Sequence, residues 1–201
     1  MYCSLVKTRQ PRKPQARAAV TRDLLLRAAE QVFARVGYET AQVDEIADAA
    51  GFSKGALYAH FASKEALFLA LYEVKIASDR TTLRRALDRA PTRADKIDAF
   101  RRFYIDLSRE KAWSLLALEV KLFIKRHPRV RGRLREIDAR VGDSIQEALT
   151  RLLGNSARPA GEALGGIVSA LVLEAALEPD VLSERKIRAM LGTTFDALLG
   201  L

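Results

Sequence analysis

Apolar residues recur every three or four positions along most of the chain, and no stretch alternates apolar and polar residues with a period of two. This spacing predicts amphipathic helices and gives no sign of a β-strand. We therefore expect an all-α fold. The predicted helices cover residues 22–36, 43–50, 54–60, 63–89, 92–107, 111–126, 130–152, 164–177 and 183–199.

Several helix ends are marked by single residues. Gly37 should stop the first helix, and Gly51 should end the second in a left-handed turn, where glycine is least strained. Pro91 and Pro128 disfavour helix at the residues before them. Side chains suited to capping a helix start are Ser53, Ser63 and the pair Thr92–Asp95.

The segment 40–64 organises the rest of the chain. Its two helices, 43–50 and 54–60, are too short to be stable alone, because helix nucleation is costly and few hydrogen bonds follow it. They are expected to pack on helix 22–36. A helix, a glycine turn and a second, partly polar helix form the helix-turn-helix plan, whose second helix enters the DNA major groove.

The same segment resembles the DNA-binding domain of the TetR family from about residue 21 to residue 69. The similarity rests on Gly37-Tyr38, Val43–Ala47, Gly51–Tyr58, His60-Phe61 and Ser63–Glu65. The resemblance implies a basic tail over 1–20, a helix-turn-helix domain over 21–68, and an effector-binding and dimerisation domain over 69–201.

The resemblance also assigns DNA contacts to the second short helix and its flanks. Gly55 and Ala56 allow close approach of the backbone, and Lys54 can donate to guanine acceptors. Tyr58 and Lys64 suit backbone phosphates, which position the protein without specifying sequence. Family members usually carry Ser or Thr just before residue 43, where this chain has Ala41 and Gln42. The predicted DNA-binding residues are Gln42, Ser53, Lys54, Gly55, Ala56, Tyr58, His60 and Lys64.

The chain has a formal net charge of +9, and its first 22 residues contain no acid. With Pro11 and Pro14 among the cations, this tail is predicted to be disordered. Two interpretations of its charge stay open: a solvated tail, or an arm that follows phosphates or the minor groove.

Helix 111–126 is apolar nearly all round and should lie inside its domain. Together with the preceding helix it could line a mostly apolar pocket with one or two polar groups, the usual composition of a small-molecule site. Plain core packing is the competing interpretation, in which Glu119 would be a structural carboxylate. The predicted effector-binding residues are Phe100, Tyr104, Trp113, Leu116, Glu119, Val120 and Phe123, and the expected ligand is hydrophobic or amphipathic.

The sequence gives little indication of disulfides, metal binding, catalysis or a membrane span. Cys3 is the single cysteine, and His60 and His127 are far apart, so neither a disulfide framework nor a metal site is predicted. No nucleophile elbow or phosphate-binding glycine loop is present, and we expect no catalytic residue and no cofactor. No apolar run is long enough to span a bilayer, and the first residues lack a secretory core, which favours the cytoplasm.

The resemblance implies a homodimeric regulator, expected to repress, that leaves a palindromic operator when a small molecule binds. Apolar stripes on helices 164–177 and 183–199 are expected to form a four-helix dimer interface, with packing inside the chain alone as the alternative. The stripes consist of Leu164, Ile167, Val168, Leu171, Val172, Ile187, Met190, Leu191, Thr194 and Leu198. The alternative is an architectural DNA-binding protein without effector control. An enzyme is the third and weakest interpretation.

Overall fold

A computed structural model describes residues 13–137, 139, 170–171, 173–174 and 183–199. All regular elements among these residues are helical, which confirms the predicted all-α class. Residues 131–137 are also helical after a short 3-10 turn, Pro128–Val130. The helices are α1 (Lys13–Thr40), α2 (Val43–Ala49), α3 (Lys54–His60), α4 (Lys64–Arg89), α5 (Arg93–Leu107), α6 (Lys111–Arg126) and α7 (Glu184–Leu199).

The predicted caps form. Ser53 Oγ accepts a hydrogen bond from Ala56 N at 3.2 Å, and Ser63 Oγ accepts one from Ala66 N at 3.0 Å. Thr92 and Asp95 form the reciprocal capping box at the start of α5. Each cap satisfies helix amides that have no partner within the helix.

The first helix differs from the prediction. It begins at Lys13 rather than residue 22, so a disordered tail is wrong for residues 13–20, while residues 1–12 lie outside the described part. Pro14 is tolerated because the first turn of a helix does not use its amides, and residues 15–19 are helix-compatible. Residues 15–20 are all exposed, so both interpretations of the tail's charge stay predictions.

Two hydrophobic cores hold the described helices together. The first core joins α1–α4 to α6, and Tyr38 lies at its centre with ring centroids 4.8 Å from Phe68 and 4.5 Å from Phe123. The second core joins the later part of α4 to α5 and α7. The first core therefore includes residues on both sides of residue 68, because α6 packs directly on α1.

The last helix corrects part of the dimer prediction. Ile187 and Leu191, which were expected at a partner subunit, are buried in the second core of their own chain. Met190 points elsewhere and is 42% exposed. The stripe residues Leu164, Ile167, Val168, Val172 and Leu198 lie outside the side chains that the structure describes.

No helix in the described ranges is long and apolar enough to cross a membrane.

Candidate nucleic-acid interface

The turn between α2 and α3 is built by Gly51. Its φ of +77° lies in the left-handed region that favours glycine. Gly51 N donates to Asp48 O at 3.0 Å and Phe52 N donates to Ala47 O at 2.9 Å, which satisfies the last carbonyls of α2. The chain then turns directly into the Ser53 cap of α3, so the angle between the two helices is set by local bonds.

α3 has one buried face and one exposed face. Leu57 is fully buried in the first core, whereas Lys54, Gly55 and Tyr58 are exposed. Tyr58 is 44% exposed, which is unusual for a large aromatic side chain. Ser53 is exposed as well, whereas Ala56 and His60 are partly buried at the edges of this face.

Lys54 is held in place by α2. Its Nζ donates to Asp44 Oδ2 at 3.0 Å, and this hydrogen bond and the negative charge of Asp44 raise the pKa of Lys54. A second ion pair, Arg35 with Glu45, links α1 to α2. The cation expected to read bases is therefore positioned at the start of α3, and its ammonium group has further N–H donors beside the one bound to Asp44.

Lys64 is predicted to bind phosphate, but in the structure its ammonium group binds backbone carbonyls of its own chain. Its Nζ donates to three backbone carbonyls at the end of α1: Tyr38 O at 2.8 Å, Glu39 O at 3.1 Å and Ala41 O at 3.0 Å. An ammonium group has three N–H donors, so all of them are used inside the protein. Lys64 thus closes the end of α1, a contact that sequence reasoning missed because its partners lie more than 20 residues upstream.

Arg22 is a second residue that sequence reasoning missed. Its Nη1 donates to His60 O at 3.3 Å, and its guanidinium lies 4.3 Å from the ring centroid of Phe61. These contacts fix the C-terminal end of α3 against α1.

The predicted effector residues on α5 and α6 fall into two hydrophobic cores among the described residues. Trp113, Leu116, Val120 and Phe123 are buried in the first core against α1 and α4, whereas Phe100 and Tyr104 are buried in the second core. A ligand site shared by these residues stays a prediction. Helical periodicity correctly marked these residues as buried, but it could not indicate that α6 packs on α1 rather than facing α5.

Glu119 is the structural carboxylate of the competing interpretation. Its Oε2 accepts a hydrogen bond from Tyr38 N at 2.9 Å. Gly37, just before Tyr38, has a φ of +76° and leaves space for the carboxylate, since a Cβ there would lie 3.1 Å from Glu119 Oε1. This bond ties α6 to the end of α1.

A cavity of about 480 Å³ lies between α4 and α5. Its volume is within the range of small-molecule sites. Asp79 lines this cavity. Burial raises the pKa of its carboxyl to about 7, and the negative charges of Glu110 and Glu30 act in the same direction, whereas the positive charge of Lys75 acts in the opposite direction. The lining residues are Lys75, Ser78, Asp79, Thr82, Ala86, Arg89, Ala99, Arg102, Phe103, Asp106, Leu107 and Glu110.

Known proteins share both the helix-turn-helix segment and the fold. The model for bacterial regulatory proteins of the tetR family matches residues 25–71. The transcriptional activator FasR of Mycolicibacterium smegmatis is 47% identical over 66 residues, which are 33% of this chain and 30% of FasR. The transcriptional repressor AcnR of Corynebacterium efficiens is 28% identical over 131 residues, 65% of each chain. Residues 25–71 therefore match the DNA-binding domain of the TetR family.

Solved structures share the fold of this chain. The fatty acid degradation regulator FadR of Bacillus halodurans superposes with a TM-score of 0.76 at 21% identity, covering 95% of this chain and 97% of FadR. At this identity the likeness concerns the fold alone. The curated relatives are matched over less of their length, since the chain spans 30% of FasR and 65% of AcnR.

Gln42 is where this chain departs from the usual TetR-family pattern. It occupies the N-cap position of α2 without capping it, and its Nε2 donates to Thr40 O at 3.2 Å. The side chain is exposed, and an amide has a second N–H available. A phosphate contact by Gln42 therefore stays a prediction, as do the other DNA contacts of this surface.

Proposed function

We propose that this chain is a cytoplasmic, homodimeric transcription regulator whose α3 reads a palindromic operator. Repression is the proposed mode, as in AcnR, although FasR is an activator. The support comes from the α2–α3 unit, in which Lys54, Gly55 and Tyr58 are exposed while Leu57 is buried. A two-fold dimer would place two such helices about 34–36 Å apart, in successive major grooves.

Gly55 is the observation that carries the DNA-binding proposal. A Cβ built on it would meet only Ser53 Oγ, at 3.8 Å, which is ordinary contact. Its φ is not positive, because the positive values among the described glycines belong to Gly37 and Gly51. Folding therefore does not require glycine at this exposed helical position, where alanine would be more stable. Close approach of an external partner explains it, and a DNA base edge is the partner that a helix-turn-helix presents there.

Gly55→Ala is accordingly expected to stabilise the protein and weaken DNA binding. The free energy of unfolding should rise by up to about 1 kcal/mol, while operator affinity should fall by roughly tenfold or more, because the new methyl group meets a base edge. Urea unfolding and fluorescence anisotropy with labelled operator measure the two quantities.

The matched control for this experiment is Gly132→Ala. Gly132 also lies in a helical segment, is exposed, and would have nothing within 4 Å of its Cβ. It should gain stability with unchanged operator affinity. If Gly55→Ala binds operator as tightly as Gly132→Ala does, α3 does not approach DNA at residue 55 and the proposal fails there.

Effector control is the second part of the proposal, and the cavity between α4 and α5 supports it. α4 begins directly after α3 and continues along the cavity, so a ligand seated there touches the helix that carries the DNA-binding unit. FadR of Bacillus subtilis, which shares this fold at 17% identity and a TM-score of 0.69, was solved in complex with stearoyl-CoA. We propose that a small molecule in this cavity lowers operator affinity. An architectural protein would show no such response.

A further inference from the structure

The carboxylates that line the cavity between α4 and α5 are grouped towards one end. A short connection joins the two helices, which therefore run antiparallel. Arg89 lies towards that connection, and Arg102, one turn before Asp106 on α5, pairs with Asp98. The carboxylates of Asp79, Asp106 and Glu110 lie towards the other end. One end of the cavity is therefore acidic.

The single ammonium at the acidic end is already engaged. Lys75 Nζ lies 3.2 Å from a carboxylate oxygen of Glu30 on α1 and 3.3 Å from one of Glu110. With Asp79, three carboxylates surround one ammonium group, which leaves two negative charges in excess when all are ionised. Asp106 adds another carboxylate, which pairs with Arg109 at 3.5 Å.

Among these carboxylates, the negative charge of Asp79 has the fewest neighbouring donors and cations to balance it. Within the described part of the chain its carboxylate receives no hydrogen bond and forms no ion pair within 4 Å. Burial is the main reason that its pKa rises to about 7, and the neighbouring charges of Glu110 and Glu30 act in the same direction. Burial raises the pKa of the Tyr104 hydroxyl on α5, and the negative charge of Asp79 raises it further. Asp79 is half-buried, and a half-buried carboxylate without a partner is stabilised by a cation that reaches it.

The rest of the wall is apolar, with Ala86, Ala99, Phe103 and Leu107 on the two helices. We propose that this cavity binds an organic cation, a protonated amine on a short apolar body, with Asp79 as its counter-charge. This inference rests on the proposed function, in which the same cavity is the effector site. Phe103 and Leu107 would cover the apolar body, and Glu110 would add a second negative charge beside the ammonium.

Three probes of equal chain length separate this ligand class from others: hexylamine, hexanol and hexanoate. Trp113 is the single tryptophan, and its ring centroid lies 5.6 Å from Lys75 Nζ, so its fluorescence reports events at the acidic end. At pH 8 we expect hexylamine to give a saturable change, with hexanol and hexanoate at least roughly tenfold weaker. Equal responses to the three probes, no response, or a preference for hexanoate would overturn the proposal.

Two further measurements test the role of Asp79. Between pH 8 and pH 6 the apparent affinity for hexylamine should fall about tenfold, because a proton then occupies a carboxyl with a pKa of about 7 while the amine stays charged. Asp79→Asn should weaken binding at pH 8 and remove this pH dependence. Asp88→Asn, the same change at an exposed residue of α4 outside the cavity lining, should behave as wild type. A response of Asp79→Asn equal to that of Asp88→Asn would overturn the assignment.

Operator affinity is measured separately with and without hexylamine. If hexylamine binds but leaves operator affinity unchanged, the amine site stands and the proposed effector control fails. If operator binding is intact but hexylamine does not bind, the inference fails and the proposed DNA binding stands.

Discussion

Replacing Gly37 with alanine is expected to lower the free energy of unfolding by about 3 kcal/mol, through two effects that add. Gly37 has a φ of +76° and a ψ of 168°, a backbone conformation that is almost restricted to glycine. The new Cβ would also lie 3.1 Å from Glu119 Oε1, in a space that the carboxylate needs for its bond to Tyr38 N. Displacing Glu119 would leave that partly buried amide without its acceptor.

The control for Gly37→Ala is Gly51→Ala. Gly51 has nearly the same φ, +77°, but nothing lies within 4 Å of a Cβ built there. Its substitution should therefore report the backbone strain alone, about 1 to 2 kcal/mol. Urea unfolding followed by circular dichroism compares the two. Equal losses for both variants would mean that the Glu119 contact contributes nothing to stability.

Lys64→Met is expected to cost about 1.5 to 3 kcal/mol of folding stability, because the three carbonyls at the end of α1 lose a charged donor. Methionine keeps the aliphatic part of the side chain, so the loss isolates the ammonium group. Chemical unfolding measures it. Lys121→Met is the matched control, since Lys121 is exposed on α6 and its loss removes the same charge.

The same variant separates the structural role from the phosphate contact that the sequence suggests. A lysine that binds phosphate lowers the slope of log affinity against log salt by about one unit when it is removed. Because the three N–H donors of Lys64 are already used, we expect its folded variant to keep the wild-type slope. A drop of one unit with unchanged stability would restore the phosphate assignment.

Features set by neighbouring residues were predictable from the sequence. The caps at Ser53, Ser63 and Thr92, the glycine turn at Gly51 and the bounds of α6 depend on residues a few positions apart, and the structure confirms them. The start of α1 was wrong because Pro14 was treated as evidence against a helix, whereas the first turn tolerates proline.

Contacts between distant segments were not predictable. Glu119 and Tyr38 are 81 positions apart, and a lone carboxylate on an apolar helix does not indicate which amide it will meet. Periodicity likewise marks Phe123 and Phe100 as buried without showing that they enter different cores. The cavity at Asp79 was not predictable either. Its lining contains many charged residues of α4 and α5, and in a sequence such residues indicate a solvent-exposed helix face.

Selection of bound DNA from a random pool, carried out in parallel for the wild type and Lys54→Ala, tests the central claim most directly. The wild type should enrich a palindrome with half-site centres about one helical turn apart. Lys54→Ala should enrich a related palindrome with relaxed preference at one or two base pairs in each half-site, because Lys54 is the cation at the start of α3. No enrichment by the wild type, or a sequence without two-fold symmetry that Lys54→Ala leaves unchanged, would contradict recognition of an operator by paired α3 helices.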